Sequence, residues 1–241
     1  MSGLLGASGS LGELMREALL PENVDFLGIG VNPSFYTALI VSGLLILAAV
    51  FIRIFAVPRF KDVPGTFQSL LESIVLMFDK MNEDNSSTRA MMGAYVFTAA
   101  LYIFTGTMIE LIGLRPVMGD INGCLALSLF TYGLIVFFSI KSKGAKGALG
   151  ALKDVTVPVS MSFRLFGSIS SGLLVTELMY NFIYLSIGLP VIVGVLFTCF
   201  HAIIQAYVFA VLSSLFVGEA AVPAVKADKI TEDEAQLRSK E

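Results

Sequence analysis

Five ionisable or amide side chains lie inside stretches of this chain that are otherwise apolar: Glu110, Arg164, Glu177, His201 and Gln205. Asp120, Asn122, Asn181 and Glu219 stand near the ends of such stretches. Arg164 is the most demanding of them, because the segment from Val155 to Thr176 carries no other charge. Arginine keeps its proton even when buried, and a guanidinium at the centre of a membrane helix costs roughly 2.5 to 3.5 kcal/mol. A cation in that place needs a partner or a task. Other chemistry is poorly represented. There is no glycine-rich loop to cradle phosphate, Cys124 and Cys199 stand singly in separate apolar segments, and the chain holds 1 histidine. Neither a disulfide framework nor a metal site is indicated, no catalytic residue of a soluble enzyme is visible, and no cofactor is expected.

Helical geometry relates the polar groups to one another. Glu177 lies thirteen residues beyond Arg164, about 20 Å along a helix and about 220° around its axis. His201 and Gln205 are four apart and share a face. Two neighbouring helices carrying these groups would present a polar seam, with Arg164 and Gln205 toward one level and His201 and Glu177 progressively farther out. A row of titratable groups that ends at a fixed mid-membrane cation describes an ion route with a barrier. Histidine exchanges protons near neutral pH, and a desolvated carboxyl is brought toward the same range. Each residue also has a plainer reading. Arg164 is structural if a carboxylate of its own chain pairs with it, although Glu177 is at the wrong level. His201 reads equally well as a core histidine, Gln205 as an interhelical hydrogen-bonding group, and Glu110 as the end of its span. The small residues from Gly167 to Gly172 suit close helix packing.

The elements that must position these groups follow from composition. With 56% hydrophobic and 15% charged residues and a mean hydropathy of +0.82, the chain holds more apolar surface than a soluble domain of its length can bury, so it is a polytopic membrane protein. The uncharged runs show no residue-by-residue alternation, which excludes transmembrane strands and leaves an all-α class. One membrane domain is expected over 1–241, with about five crossings. Its parts are an outer N-terminal segment (1–30), a first span (31–56), an amphipathic helix along the inner surface (65–80), second and third spans (90–112 and 121–141), two long helices (155–187 and 190–219) turning at Gly188-Leu-Pro190, and a solvated tail (220–241). Lys and Arg fall almost wholly between Arg53 and Arg89, between Lys141 and Lys153, and after Gly218. That bias places the N-terminus outside and the C-terminus in the cytoplasm. The acidic first 30 residues lack the pattern of a cleaved signal or transit peptide, so the chain is expected to be mature.

Arg164-Leu-Phe-Gly, followed by small residues and Gly172, resembles the signature of subunit a of F-type rotary ATP synthases, bacterial type, in which Asn often stands at the position of Ser168. Gln205-Ala-Tyr-Val-Phe-Ala-Val-Leu with Gly218-Glu219 is similar to that family's last helix. Weaker matches at Glu110-Leu-Ile, Gly119-Asp-Ile-Asn and Ser139-Ile-Lys-Ser-Lys-Gly extend the likeness over nearly the whole chain. The resemblance implies a non-catalytic stator in the bacterial plasma membrane, its two long helices forming a tilted hairpin against a ring of c subunits, with the subunit b peripheral stalk as a further partner and no nucleic acid. It implies two ion half-channels separated by Arg164, whose counter-ion would be a carboxylate on the ring, so that ion flow drives rotation and ATP synthesis. Arg164, Gln205, Glu177, His201 and Glu110 are then the ion-translocation residues, with Asp120, Asn122, Ser168 and Glu219 in secondary places. Two positions depart from the pattern: Leu173 stands where relatives commonly carry an acid, and Thr198 where they often carry His or Glu. Glu177 and His201, about one turn away, are the candidates to replace that relay pair. The alternative is a stand-alone secondary transporter using Arg164 to hold an anion, although no internal repeat supports it.

Overall fold

The computed structural model describes residues 16, 24–26, 29–61, 64–85, 89–144, 147, 149–150, 155–181 and 189–221. A short antiparallel hairpin, β1 (Val24–Phe26) and β2 (Ile29–Val31), pairs Asp25 with Gly30. The sequence does not announce it, because three-residue strands are too short for an alternating pattern to register. The rest of the expected outer segment, apart from Arg16, and the tail beyond Ala221 lie outside the described residues.

Helix α1 (Pro33–Phe51) opens on a capping arrangement: the Asn32 side-chain oxygen accepts from the Ser34 amide at 3.1 Å, and Pro33 occupies the first turn, where its missing N–H is no loss. The helix continues through a five-residue π turn (Ile52–Ala56) and a tight turn (Val57–Arg59) before the chain becomes extended at Phe60. Pro58 explains the ending, since it can donate no helical hydrogen bond and its ring crowds the preceding turn.

Helix α2 (Thr66–Asn85) is the amphipathic element, longer than expected from periodicity. Gln68 ties it to the preceding segment by accepting from the Lys61 amide at 3.1 Å and donating to the Lys61 carbonyl at 3.0 Å. Phe67, Leu70, Leu76 and Met77 remain exposed, while the Phe78 ring meets Phe97 edge-on at 5.5 Å. Helix α3 (Arg89–Met108) runs into a tight turn (Ile109–Ile112) closed by Gly113 at φ 83°, a conformation that favours glycine. Helix α4 (Ile121–Lys143), helix α5 (Thr156–Asn181) and helix α6 (Leu189–Ala221) complete the set. Pro190 falls in the first turn of α6, as its position in the expected turn requires, whereas residues 182–188 lie outside the described residues.

Segments 33–59, 92–112, 121–143 and 191–220 are long and apolar enough to cross a membrane. Only 6% of the first is buried within the chain, against 33% for each of the others, so the first span turns most of its surface to lipid or to another protein. Three hydroxyls within the spans satisfy themselves locally, Ser42, Thr98 and Thr107 donating to the carbonyls of Ala38, Ala94 and Ile103 at 2.7 to 2.8 Å.

Two compact units are formed, and most of the long helices contribute to both. The first comprises Met1–Phe60, Ala100–Ala126 and Met161–Tyr207. Its buried apolar residues include Val41, Ile103, Met118, Leu165, Ile169 and Ala202. Cys124 is among them, a small core residue whose thiol donates to the Met118 carbonyl at 3.3 Å.

The second unit comprises Lys61–Ala99, Leu127–Ser160 and Val208–Glu241. Met92, Val96, Ile135, Phe138, Phe209 and Val217 are buried in it. Tyr95 and Thr131 share a hydrogen bond of 2.5 Å between their hydroxyls. At the end of α4 the chain turns sharply at Gly144 (φ 62°) and returns so closely that a side chain on Gly147 would collide with the Ser139 carbonyl. The Ser139 hydroxyl donates to the Gly147 carbonyl at 2.9 Å, and Lys143 Nζ donates to the Glu219 carbonyl at 3.0 Å, at the negative end of α6.

Candidate functional site

Helix α5 has two faces, and Arg164 is on the open one. Phe163, Arg164, Gly167 and Ser171 are exposed, while Met161, Leu165, Ile169 and Gly172 are buried on the opposite side. Helix α6 is divided in the same way. Leu196, Phe200, Ile203 and Tyr207 are more than half exposed, whereas Thr198, Ala202, Gln205 and Ala206 are buried. Arg164 makes no hydrogen bond or ion pair with any described residue. Glu177 continues the same helix, with its side chain outside the described residues.

Buried and half-buried residues of these helices line a small, partly open cavity. It is lined by Thr107 and Glu110 from α3 and its extension, Ser168, Ile169 and Gly172 from α5, and Phe197, Thr198 and His201 from α6. Its volume is about 10 Å³, room for one water molecule. The Thr198 hydroxyl hydrogen-bonds the Glu110 carboxyl. His201 stacks on Phe197 with ring centroids 4.4 Å apart and planes at 29°, and its Nδ1 lies 3.2 Å from the Phe197 carbonyl oxygen. Three residues that the sequence singles out, Glu110, Ser168 and His201, are therefore brought together. Thr107 and Thr198 join them. Threonine in a span signals little by itself, because its hydroxyl so often bonds its own helix, and Thr198 stands out in the sequence only as a missing relay group.

Gln205 is 8% exposed, and its side-chain oxygen accepts no hydrogen bond from the described residues. A buried amide oxygen left in that state costs about 1 to 3 kcal/mol unless something outside the chain supplies a donor. Asp120 and Asn122 are occupied elsewhere: the Asp120 carboxylate accepts from the Asn122 amide at 3.0 Å and from its side chain at 3.2 Å, capping the start of α4. Burial holds the nearby Arg115 guanidinium below its ordinary pKa, and the Asp120 charge works in the opposite direction. Glu219 is exposed at the far end of α6, where it offers its backbone carbonyl to Lys143.

Apolar helices of membrane-crossing length define a polytopic all-α membrane protein, in which a carboxyl, hydroxyls and an imidazole gather where two of those helices, α3 and α6, line a cavity with α5. Residues 36–218 match the ATP synthase A chain family. The chain belongs to that family and is a subunit of the membrane (Fo) sector of ATP synthase, a bacterial membrane protein. It is 30% identical to ATP synthase subunit a of Histophilus somni (strain 2336), over 73% of this chain and 83% of the relative. ATP synthase subunit a of Haemophilus ducreyi is 28% identical over 83% of this chain and 91% of the relative. That of Pasteurella multocida (strain Pm70) is 29% identical over 71% and 83%.

Proposed function

We propose that this subunit is the stator against which a ring of c subunits turns, and that it supplies two ion half-channels separated by the Arg164 guanidinium. The observation that carries this is the place of Arg164 on the exposed face of α5, without an ion pair to any described residue. On this reading, its counter-ion belongs to another chain. A carboxylate on the passing ring answers the requirement: an acid about 4 to 5 Å from a guanidinium, at an effective dielectric near 20, gains several kcal/mol in its ionised form. Each arriving ring carboxyl therefore releases its proton to one half-channel at the arginine and takes up another from the second after passing. The exposed face of α6, with Phe200, Ile203 and Tyr207, supplies the sliding surface. At 33 residues, α6 is about 50 Å long against a hydrocarbon core of about 30 Å, so a tilted course accommodates it.

Glu110, Thr198 and His201 line the approach to that surface, with Glu177 farther along α5 toward the outer side. The N-terminus lies outside and the tail in the cytoplasm, following the distribution of Lys and Arg. Purification from native membranes under mild conditions tests the assembly. An oligomeric ring of small hairpin proteins and a peripheral stalk should accompany the chain, and a chain that purifies intact and alone would overturn the stator role. The relay is tested separately. His201→Ala and Glu177→Gln should each slow ATP-driven ion pumping severalfold in fully assembled complexes, and wild-type rates in both would remove them from the route.

A further inference from the structure

We propose that Phe197 and Gly172 are positioning residues that set the tautomer and orientation of His201. The inference rests on His201 belonging to the ion route. A carbonyl oxygen offers only lone pairs, so the 3.2 Å contact between His201 Nδ1 and the Phe197 carbonyl requires the ring proton to sit on Nδ1. The neutral imidazole then keeps its lone pair on Nε2, which hydrogen-bonds to no described residue. That is the nitrogen free to receive a proton through the cavity, from a water or from the Glu110 carboxyl, the other titratable group lining it. On receiving one the ring becomes the imidazolium, with both nitrogens protonated, and releasing it from Nε2 restores the starting tautomer.

Two further contacts keep the ring in this pose. The Phe197 side chain stacks on it at 4.4 Å. Phe197 is itself seated against Gly172, where an added Cβ would lie 3.1 and 3.2 Å from two of its ring carbons. Such an approach requires the phenyl ring to shift by a few tenths of an ångström. The absence of a side chain at Gly172 thus lets α5 support Phe197, and Phe197 supports His201. From the sequence, the small residues between Gly167 and Gly172 read as simple helix packing. Gly172 packs, and what it packs against is the ring that aims the histidine.

The test uses assembled complexes in inverted membranes, with ATP-driven pumping followed in two backgrounds. Loss of an aromatic pair alters an orientational equilibrium roughly two- to tenfold. Phe197→Leu and Gly172→Ala should each lower pumping by an amount in that range when His201 is present, with ATP hydrolysis and subunit levels maintained. Phe197→Tyr, which retains a stacking ring, should recover most of the loss. In a His201→Ala background, neither Phe197→Leu nor Gly172→Ala should reduce the rate further. Equal losses in both backgrounds would show that the two residues act through general packing and overturn the proposal. So would wild-type pumping in both single variants. Should Phe197→Leu fail to assemble, Gly172→Ala is read in the same way. A wild-type rate in His201→Ala alone instead removes His201 from the route, and the positioning role with it.

Discussion

Replacing Arg164 with alanine is expected to reduce coupled ATP synthesis to background while leaving the complex assembled. With the ring and the two half-channels as proposed, the physical basis is twofold. Without the guanidinium, the ring carboxylate loses the several kcal/mol that favour its ionised form at the interface, so it arrives protonated and does not discharge. Without the fixed charge, nothing electrostatic separates the two half-channels, and each proton that leaks at 100 mV dissipates about 2.3 kcal/mol. Arg164 makes no hydrogen bond or ion pair to a described residue, so its removal breaks no described contact and the fold should survive. Arg164→Lys should rescue little, because a compact, strongly hydrated ammonium on a flexible stem does not reproduce a planar guanidinium. ATP synthesis and passive proton leak in energised vesicles, beside immunoblots of the other subunits, provide the measurement. Appreciable coupled synthesis in Arg164→Ala would end the case for an arginine barrier.

Glu110→Gln is expected to have the second-largest effect, lowering ion flux by about tenfold or more. The substitution keeps the shape of the side chain and can preserve a hydrogen bond with Thr198, but an amide cannot release or accept a proton at this pH. It thus separates the chemical role of the carboxyl from its packing role. Glu110→Asp should restore part of the flux, since it returns the acid at a shorter reach. Thr198→Val should be milder, because it removes a hydrogen bond and leaves the acid in place. Glu110→Gln complexes that pump at the wild-type rate would reduce Glu110 to the end of a span, the plainer of the meanings its sequence position allows.

Part of this site is legible in the amino-acid sequence. Glu110, His201 and Ser168 stand out there, the first two as rare titratable groups inside apolar runs and the third beside the arginine signature, and the cavity holds all three. Thr198 does not stand out as a participant, since an acid or an imidazole is the expected relay at its position. Its hydroxyl contributes by bonding Glu110 from a different helix, a pairing that separation along the chain does not reveal. The pose of His201 is equally out of reach of sequence reasoning. It depends on a stacked ring one turn away and on a glycine in α5.

The class of the helices, the membrane habit and the anomaly of Arg164 are determined by sequence alone. They depend on local quantities: residue hydrophobicity, helical period and the cost of placing a charge in hydrocarbon. Which face each helix exposes is decided only by the tertiary structure, because that depends on the angle to which each helix is rotated about its own axis against its neighbours. On α5, that angle turns Leu165 and Ile169 inward and leaves Arg164 facing outward without an internal partner among the described residues. On α6, it buries Thr198 and Gln205 and exposes Phe200 and Ile203. An unexplained charge in a sequence thereby becomes a cation on an open helix face, placed where another protein can meet it.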